Sequence, residues 1–360
     1  MRAAVFRGVG RPLGIEELRD PRPKAGEVRI RVAACGVCHS DLHFFKGHLA
    51  FPVPLVPGHE VSGTVDELGP GVTGLARGAR VVASFIIPCG RCPACSGGRD
   101  DLCETYFAMN RAKGVLYDGE TRLFRPDGTP VATNMLGGMA DYVVVPTTDV
   151  FPLPDPLPLE ESCILGCAVM TAYGAIKHQA ELRPGETVAV VGAGGVGTNL
   201  VAMARLFGAR EVIAVDVREA ALEAARAAGA TRTVDASKED PVRAAGAGVD
   251  VAIEAIGRPE TVAQAFAMTR EGGRTVVVGV GPAKAAAPIE ITRLVRRGIR
   301  ISGSYGCRVR TDMPELIALA ASGKVDVARL VTRRFRLAEA AAAYDALDTG
   351  RIAGRAIVIP

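Results

Sequence analysis

Four cysteines in a segment rich in glycine and proline limit the fold of this chain more sharply than any other feature. Cys89, Cys92, Cys95 and Cys103 are arranged as C-x2-C-x2-C-x7-C. Gaps of two residues allow one short piece of backbone to present successive thiolates to a single tetrahedral zinc ion. Because sulfur would occupy all four coordination positions, neither water nor substrate could reach the metal. The spacing therefore predicts a structural zinc site.

A pair of disulfides, a redox-active C-x-x-C motif and a nucleic-acid-binding zinc finger are the alternatives for this cluster. Stable disulfides belong to oxidising compartments, whereas the N-terminal residues contain arginines where a secretory signal has an apolar core. A zinc finger would be followed by a basic recognition helix, but the residues after Cys103 have mixed polarity and contain glycine. A structural zinc in a cytoplasmic protein is the favoured interpretation.

Length, composition and charge narrow the choice of partners. The chain has 360 residues, 48% of them hydrophobic, which is enough for two domains with separate cores. Its 43 basic and 39 acidic residues give a formal net charge of +4 without long runs of one sign. We therefore expect no nucleic acid and no membrane as partner, but a small-molecule ligand.

The order of hydrophobic runs predicts two domains of different type. Up to about Pro158, short β-type runs at 27–34, 60–68, 78–84 and 141–146 alternate with glycine and proline, as in a compact, mostly β domain. The proline-rich segment Phe151–Pro158 has too few backbone donors for a helix or a sheet ladder, so an extended connection is expected.

From Glu186 to about Ser302, strands and helices alternate, which predicts a doubly wound parallel sheet. The predicted strands are 187–191, 211–215, 249–254, 275–278 and 300–302, and the predicted helices are 198–207, 219–228 and 261–268. Helices at 313–321 and 337–347 and a strand at 355–359 follow. This tail is too small to stand alone and is expected to pack back onto the N-terminal domain.

A glycine-rich turn between the first strand and the first helix of this segment predicts a dinucleotide site. The turn contains Gly192, Gly194, Gly195, Val196 and Gly197. Such glycines let a pyrophosphate approach the backbone at a helix N-terminus. Asp216 ends the second strand, where a carboxylate binds both hydroxyls of the adenosine ribose and repels a 2′-phosphate, which favours NAD over NADP. Arg218 softens that preference, because it offers a cation to a phosphate. The alternative is a glycine turn with an unrelated surface aspartate.

A second set of potential metal ligands is scattered along the chain. It consists of Cys38, His59, Glu60 and Cys167. Several motifs that include these residues resemble the zinc-containing alcohol dehydrogenases of the medium-chain dehydrogenase/reductase family. These motifs are Gly58-His-Glu-x2-Gly63-x5-Gly69, the Cys38/Ser40/His43 spacing, Cys167 with Thr171, the four-cysteine segment and the glycine turn. They cover essentially the whole chain and occur in the family's order.

The resemblance implies a fold and a domain arrangement. It implies a Rossmann-type doubly wound parallel sheet inserted into a mostly β, GroES-like catalytic domain, an α/β architecture overall. The catalytic zinc-binding domain would comprise residues 1–160 and 306–360, and the NAD-binding Rossmann domain would comprise residues 161–305.

The resemblance also implies roles for single residues. Cys38, His59 and Cys167 would bind a catalytic zinc, with Glu60 as a neighbouring or exchanging fourth ligand and an open position for water or substrate. Ser40 would accept the alcohol proton, and His43 would pass it to solvent. The implied cofactor contacts are His39 and Arg355 at the pyrophosphate and Thr171 and Val280 near the nicotinamide.

Supporting roles follow from the same resemblance. Asp41 would orient His59 by a hydrogen bond, and Arg355 would also pair with Glu60. Phe85 and Leu49 would line an apolar substrate channel. The competing interpretations are that Ser40 caps a helix, that His43 is a solvated surface residue, and that Glu60 merely pairs with an arginine.

The predicted function is hydride transfer between an alcohol, or its aldehyde or ketone, and NAD(H), with two zinc ions per chain, one catalytic and one structural. A reductase of a functionalised aldehyde such as a semialdehyde, and a polyol dehydrogenase, stay open as alternatives. From a different class, the chain could be a non-catalytic NAD(P)H-binding sensor or structural protein. A homodimer or homotetramer is expected, with the sheet edge near 300–303 as a subunit contact.

Overall fold

The computed structural model describes residues 1–246 and 248–360. The chain forms two compact units, one comprising Met1–Cys167 and Arg308–Pro360 and the other comprising Ala168–Cys307. Among the described residues, no helix combines the length and the apolar character needed to cross a membrane.

The first unit is built on a seven-stranded, mostly antiparallel sheet. Its central strand, Glu27–Gly36, pairs with Val61–Leu68, with Tyr142–Pro146 and with the C-terminal strand Arg355–Ile359. The last of these pairings brings the end of the chain against its beginning, as expected for the tail. Apolar side chains of the central strand are buried, including Ile30 and Ala34, so the sheet carries the core of this unit.

The elements of the first unit are short. Its strands are Arg2–Val5, Gly14–Glu17, Glu27–Gly36, Leu55–Val56, Val61–Leu68, Arg80–Ala83, Leu123–Phe124, Pro130–Thr133, Tyr142–Pro146, Val150–Pro152, Val331–Arg336 and Arg355–Ile359. Its α-helices are His39–Phe45, Pro93–Ser96, Val309–Ala321, Val327–Leu330 and Ala340–Asp348. Single turns of 3-10 helix occupy Asp100–Leu102, Thr147–Asp149 and Leu337–Glu339, a longer one spans Glu161–Gly166, and a π-helical turn spans Tyr106–Arg111.

Within the described residues, the second unit contains a six-stranded parallel sheet with helices between the strands. In spatial order the strands are Arg232–Asp235, Glu211–Asp216, Thr187–Val191, Val249–Glu254, Thr269–Val277 and Arg300–Gly303. The helices are Ala168–Gly174, Gly195–Leu206, Glu219–Ala227, Pro241–Ala244, Pro259–Met268 and Ile291–Arg296, with a π-helical turn at Ala175–Gln179. Every residue of Thr187–Val191 is buried, as expected for a strand covered on both faces.

The sheet order reverses direction between Thr187–Val191 and Val249–Glu254. The chain winds outward from the first of these strands to one edge and then returns to continue toward the other edge. Ligands of open parallel sheets bind at such a reversal, beyond the carboxyl ends of the strands. The glycine turn begins there, directly after Val191.

Several elements differ from their sequence-based prediction. The proline-rich connection was expected to make no sheet ladder, but Phe151 and Pro152 pair with Val82 and Val81 at the sheet edge. The prediction was wrong because an edge strand tolerates a proline whose missing N–H faces away from its neighbour. The predicted tail also lacked the strand Val331–Arg336, and the helix predicted to start at Thr198 begins at Gly195.

Candidate active site

Two groups of metal-binding side chains lie in the first unit. Cys38, His59, Glu60 and Cys167 form one group, in which every potential ligand atom lies within 4.8 Å of the others. All four residues are buried. Ligand atoms around a tetrahedral zinc stand about 3.3–3.8 Å apart, so small side-chain adjustments bring this set to coordination distance. Two thiols, an imidazole and a carboxylate are donors that suit zinc.

The central strands of the sheet deliver these ligands. Cys38 occupies the cap position before the helix His39–Phe45, just after the central strand ends at Gly36. His59 and Glu60 directly precede the strand that begins at Val61, which pairs with the central strand. Cys167 follows the 3-10 helix Glu161–Gly166. Cys38 therefore meets His59 and Glu60 because their strands are neighbours, and the 3-10 helix adds Cys167.

A buried carboxylate lies beside the histidine of this group. Asp41 is fully buried and accepts hydrogen bonds from Asn134 Nδ2 at 2.6 Å and from the Tyr344 hydroxyl at 2.8 Å. Its Oδ1 lies 3.5 Å from His59 Nδ1. On the other side of the ring, His59 Nε2 lies 3.2 Å from the Ser40 hydroxyl. Such a carboxylate orients a ligating histidine and raises its basicity.

The Ser40 hydroxyl lies beside two members of the metal-binding group, Cys38 and His59. Its Oγ is 3.0 Å from Cys38 Sγ. The interpretation of Ser40 as a helix cap is wrong, because Cys38 holds the cap position and its side chain makes no capping bond. His43 lies one helical turn further on, half-buried, and its Nδ1 is buried without a hydrogen-bond partner among the described residues. Burial, followed by the charge of His48, lowers the pKa of His43.

Glu60 contacts the guanidinium of Arg355, which is itself buried in the C-terminal strand. A Cβ atom on Gly36 would lie 2.0 Å from Glu60 Oε2, so only glycine at this position leaves room for the carboxylate. The two charges compensate each other in an interior where an unpaired carboxylate would cost several kcal/mol.

Proton positions in this group respond to burial and charge. A hydrogen bond from the Cys167 thiol holds the pKa of Cys38 well below its usual range, and the same bond raises the pKa of Cys167. Burial disfavours the charged form of His59, but the Asp41 carboxylate and the Cys38 thiolate outweigh it and raise its pKa to about 10. A metal ion that binds here must displace these protons, because zinc takes thiolate and neutral imidazole.

The second group consists of the four clustered cysteines. Cys89, Cys92, Cys95 and Cys103 also place their sulfur atoms within 4.8 Å of one another. The backbone amides of Cys89, Cys92 and Cys95 point at sulfur atoms of the cluster at 3.3–3.5 Å. Burial opposes ionisation of Cys89, yet the Thr105 hydroxyl and backbone amides lower its pKa to about 6. The arrangement suits a thiolate-bound zinc.

An ion pair between an exposed arginine and a buried aspartate ties this cysteine segment to the C-terminal part of the first unit. Arg310 lies in the helix Val309–Ala321, and its guanidinium and backbone amide bind the buried Asp100 carboxylate at 2.8–3.2 Å. The same guanidinium also donates to the carbonyl of Cys95. The segment is thus held from two directions.

The glycine turn of the second unit has the geometry of a phosphate cradle. Gly192 has φ of 95°, which other residues rarely adopt, and a Cβ on Gly197 would lie 1.8 Å from the Gly192 carbonyl oxygen. The helix Gly195–Leu206 starts in the turn, so its free N–H groups face outward there. Apart from the adjoining backbone, Arg218 Nη2 is the only described atom within 4 Å of a Cβ placed on Gly194, at 3.9 Å. This open space suits a dinucleotide pyrophosphate.

The remaining predicted site residues occupy varied positions within their own units. In the first unit, His39 begins the helix after Cys38, and Phe85 packs edge-on toward His59 with ring centroids 6.1 Å apart. In the second unit, Thr171 is buried in the helix Ala168–Gly174, and Val280 is half-exposed after the strand Thr269–Val277. The cofactor roles of His39, Thr171, Val280 and Arg355 stay predictions.

Comparisons with known proteins agree with this geometry. Residues 24–155 match the family model "Alcohol dehydrogenase GroES-like domain", and residues 195–322 match "Zinc-binding dehydrogenase". An NDMA-dependent alcohol dehydrogenase from Amycolatopsis methanolica is 33% identical over 359 residues, covering 97% of this chain and 96% of the relative. The chain belongs to the zinc-containing alcohol dehydrogenases of the medium-chain dehydrogenase/reductase family.

Solved structures of this family confirm the fold. An alcohol dehydrogenase zinc-binding domain protein from Burkholderia ambifaria superposes with a TM-score of 0.94 at 33% identity, covering 100% of this chain and 98% of the other. Benzyl alcohol dehydrogenase from Acinetobacter calcoaceticus gives 0.93 at 29% identity, covering 99% and 98%. The predicted GroES-like domain with an inserted Rossmann-type sheet is confirmed, and so is the reaction class, zinc-dependent alcohol oxidoreduction with a nicotinamide cofactor.

Some residues of this alcohol dehydrogenase gave no signal in the sequence. Asn134 and Tyr344 reach Asp41 from distant segments. Asp149 is fully buried, and its carboxyl meets the Ser84 hydroxyl at 2.6 Å and the Ser84 amide at 3.2 Å. The Ser84 hydroxyl also lies 2.8 Å from the Ile86 carbonyl, so it bridges Asp149 and the turn 84–86. Asp149 thereby orders the turn that carries Phe85. Only the three-dimensional packing reveals these contacts.

Proposed function

We propose that this enzyme transfers hydride between a small alcohol, or its aldehyde or ketone, and NAD(H). The observation that carries the proposal is the buried group of two thiols, one imidazole and one carboxylate beside the Ser40 hydroxyl. Zinc held by this group would act as a Lewis acid toward the substrate oxygen, and the nicotinamide would exchange hydride with the substrate carbon.

The protein residues would position the substrate and move its proton. Cys38, His59 and Cys167 would hold the ion, while Glu60, kept near it by Arg355, would be able to approach or withdraw. Ser40 lies close enough to the thiolate and the imidazole to accept the hydroxyl proton of an alcohol at that position. His43, with a free buried nitrogen and a lowered pKa, suits a base that receives this proton and releases it.

The preference for NAD is supported by Asp216. Its carboxylate lies at the end of the strand Glu211–Asp216, and its Oδ2 accepts a hydrogen bond from the amide of Ala193 at 2.9 Å. A carboxylate held there is positioned for the two hydroxyls of an adenosine ribose. Because thiolate ligands need reduced cysteines, we also propose a cytoplasmic location.

The proposed cofactor and metal centre have one combined test. Wild type, Cys38→Ser and Cys95→Ser would be compared for zinc per chain, for oxidation of benzyl alcohol and aliphatic alcohols with NAD, and for thermal stability. We include benzyl alcohol because a structural relative is named for it. An assay with added NDMA is included because the relative in sequence is named as NDMA-dependent.

We expect about two zinc ions per wild-type chain. Cys38→Ser should lose turnover and one zinc while it keeps the second, whereas Cys95→Ser should mainly lose stability. Full turnover of a Cys38→Ser protein that holds one zinc would refute the proposed metal centre. Loss of both ions from Cys38→Ser would contradict the independence of the two sites.

We further propose a homodimer formed through the sheet edge. The strand Arg300–Gly303 is the last strand of the six-stranded sheet among the described residues, and Ile301 is exposed on it. The preceding helix, Ile291–Arg296, exposes Ile291 and Val295 and buries no residue within the chain. An open edge with apolar neighbours is suited to pair with the same edge of a second copy. Light scattering of Ile301→Lys, expected to be monomeric, tests this interface.

A further inference from the structure

The aspartate proposed to bind the adenosine ribose is already paired with a cation of the same chain. Arg218 Nε lies 3.2 Å from Asp216 Oδ1, and Nη2 lies 3.5 Å from Oδ2. The backbone amide of Arg218 adds a third contact to Oδ1, at 3.0 Å. The carboxylate side chain is only 8% exposed, whereas the arginine side chain is 45% exposed. The arginine therefore has the freedom to move and the carboxylate does not.

The guanidinium of Arg218 lies next to Gly194 in the glycine turn. Its Nη2 is the only described atom outside the adjoining backbone that a Cβ on Gly194 would meet within 4 Å. The cation thus lies between the carboxylate proposed for the ribose and the open space proposed for the pyrophosphate. A phosphate on the ribose 2′-oxygen would lie beside both charged groups.

An unpaired aspartate at this position excludes NADP by repelling its 2′-phosphate. In this chain the pair of Asp216 and Arg218 has no net charge, so the repulsion is largely offset. An arginine also presents several donors in a planar fork, which matches phosphate oxygens. The ribose diol of NAD requires only the carboxylate oxygens, which stay in place through the backbone amides of Ala193 and Arg218.

We propose that Arg218 determines the cofactor selectivity of this enzyme by adapting the Asp216 site to a dinucleotide that carries a 2′-phosphate. With NAD the arginine stays on the carboxylate; with NADP it turns to the phosphate. This inference rests on the proposed function, in which the glycine turn and Asp216 bind NAD(H). It assigns to the enzyme a usable affinity for both dinucleotides rather than strict NAD dependence.

The test is direct binding of NADH and NADPH to the zinc-loaded full chain, followed by nucleotide fluorescence without substrate. The variants are Arg218→Ala, which keeps the backbone amide contact, and Arg218→Lys, which keeps the charge but not the fork. Arg226→Ala is the matched control, because Arg226 is similarly exposed and pairs with Glu219 of its own helix, Glu219–Ala227.

Arg218→Ala is expected to weaken NADPH binding roughly 10- to 100-fold, the value of a charge-assisted contact, and to change NADH binding by less than about threefold. Arg218→Lys should lie between wild type and Arg218→Ala, and Arg226→Ala should match wild type. Equal loss of both nucleotides in Arg218→Ala, or no loss of NADPH, would overturn the inference while the proposed NAD function stands. Binding of neither nucleotide to wild type would refute the proposed cofactor and this inference with it.

Discussion

Replacing Asp149 by asparagine tests whether a buried, protonated carboxyl group orders the turn beside the metal-binding group. The Ser84 hydroxyl has one proton but two acceptor contacts, the carbonyl of Ile86 at 2.8 Å and Asp149 at 2.6 Å. A protonated carboxyl group supplies the second hydrogen. Burial raises the pKa of Asp149 well above its ordinary range, in agreement with this arrangement. Asparagine keeps the size and neutrality of the group and removes its titration.

The sign and size of the effect follow from proton linkage. Above a pH of about 3.9 the carboxyl group ionises in the unfolded chain and stays protonated in the folded one. The folded state then binds more protons, so its stability falls by about 1.4 kcal/mol for each unit of rising pH until the folded pKa is reached. With an unfolding entropy of about 2.1 cal/mol/K per residue over 360 residues, this equals roughly 2 °C in Tm for each pH unit.

Differential scanning calorimetry of the zinc-loaded wild type and Asp149→Asn from pH 5 to pH 8 measures this effect. The Tm of Asp149→Asn minus that of wild type should grow by roughly 2 °C per pH unit and level off at the folded pKa. Asp149→Ala is the second variant, which leaves the Ser84 amide without its acceptor and should be less stable than Asp149→Asn by about 1–3 kcal/mol at every pH. Parallel pH profiles of wild type and Asp149→Asn would refute a neutral carboxyl group.

Three further predictions concern residues in other parts of the structure. Asp41→Asn removes the charge that orients the ligating histidine and should weaken zinc binding about 10- to 100-fold, measured by competition with a chelator; unchanged affinity would contradict that role. Arg310→Ala leaves the buried Asp100 carboxylate without its main partner and should lower the free energy of unfolding by about 1–3 kcal/mol. The cysteine segment should then lose zinc faster. The double variant Arg310→Ala/Asp100→Asn should recover part of the stability. Gly197→Ala should prevent folding of the dinucleotide unit, because a Cβ would lie 1.8 Å from a carbonyl oxygen. Gly194→Ala should keep the wild-type Tm and lose NADH affinity. Equal Tm values for both variants would contradict the close approach of Gly197 to that oxygen.

The sequence predicted elements well where apolar runs and glycines coincide. The strand Thr187–Val191 has the predicted bounds, because five buried residues end at a glycine. By contrast, Val331–Arg336 exposes its arginines at the sheet edge and carries no alternating apolar pattern. The start of the helix at Gly195 was also not predictable, because glycine has a low helix propensity and is tolerated there by the turn geometry.

Ligand spacing identified the four clustered cysteines, whereas the resemblance to the family's motifs identified the scattered group. The structure brings the side chains of each group together. The supporting contacts were only partly predictable. Asp41 also accepts hydrogen bonds from Asn134 and Tyr344, and the residues around these two in the sequence form no motif. The same holds for Asp149, since a single aspartate in a loop carries no sign of burial. Such contacts depend on how distant strands pack, which local patterns do not encode.

The order in which the ligands occur along the chain has a consequence for biogenesis. A polypeptide emerging from the ribosome contains all members of the sulfur-only group once Cys103 has been made, so this group can capture zinc during translation. The other group lacks a thiol until Cys167 is added, and the carboxylate of Glu60 has no counter-charge until Arg355 is added. The order of the ligands therefore allows the sulfur-only group to be complete while the other group still lacks one of its thiols and the partner of its carboxylate.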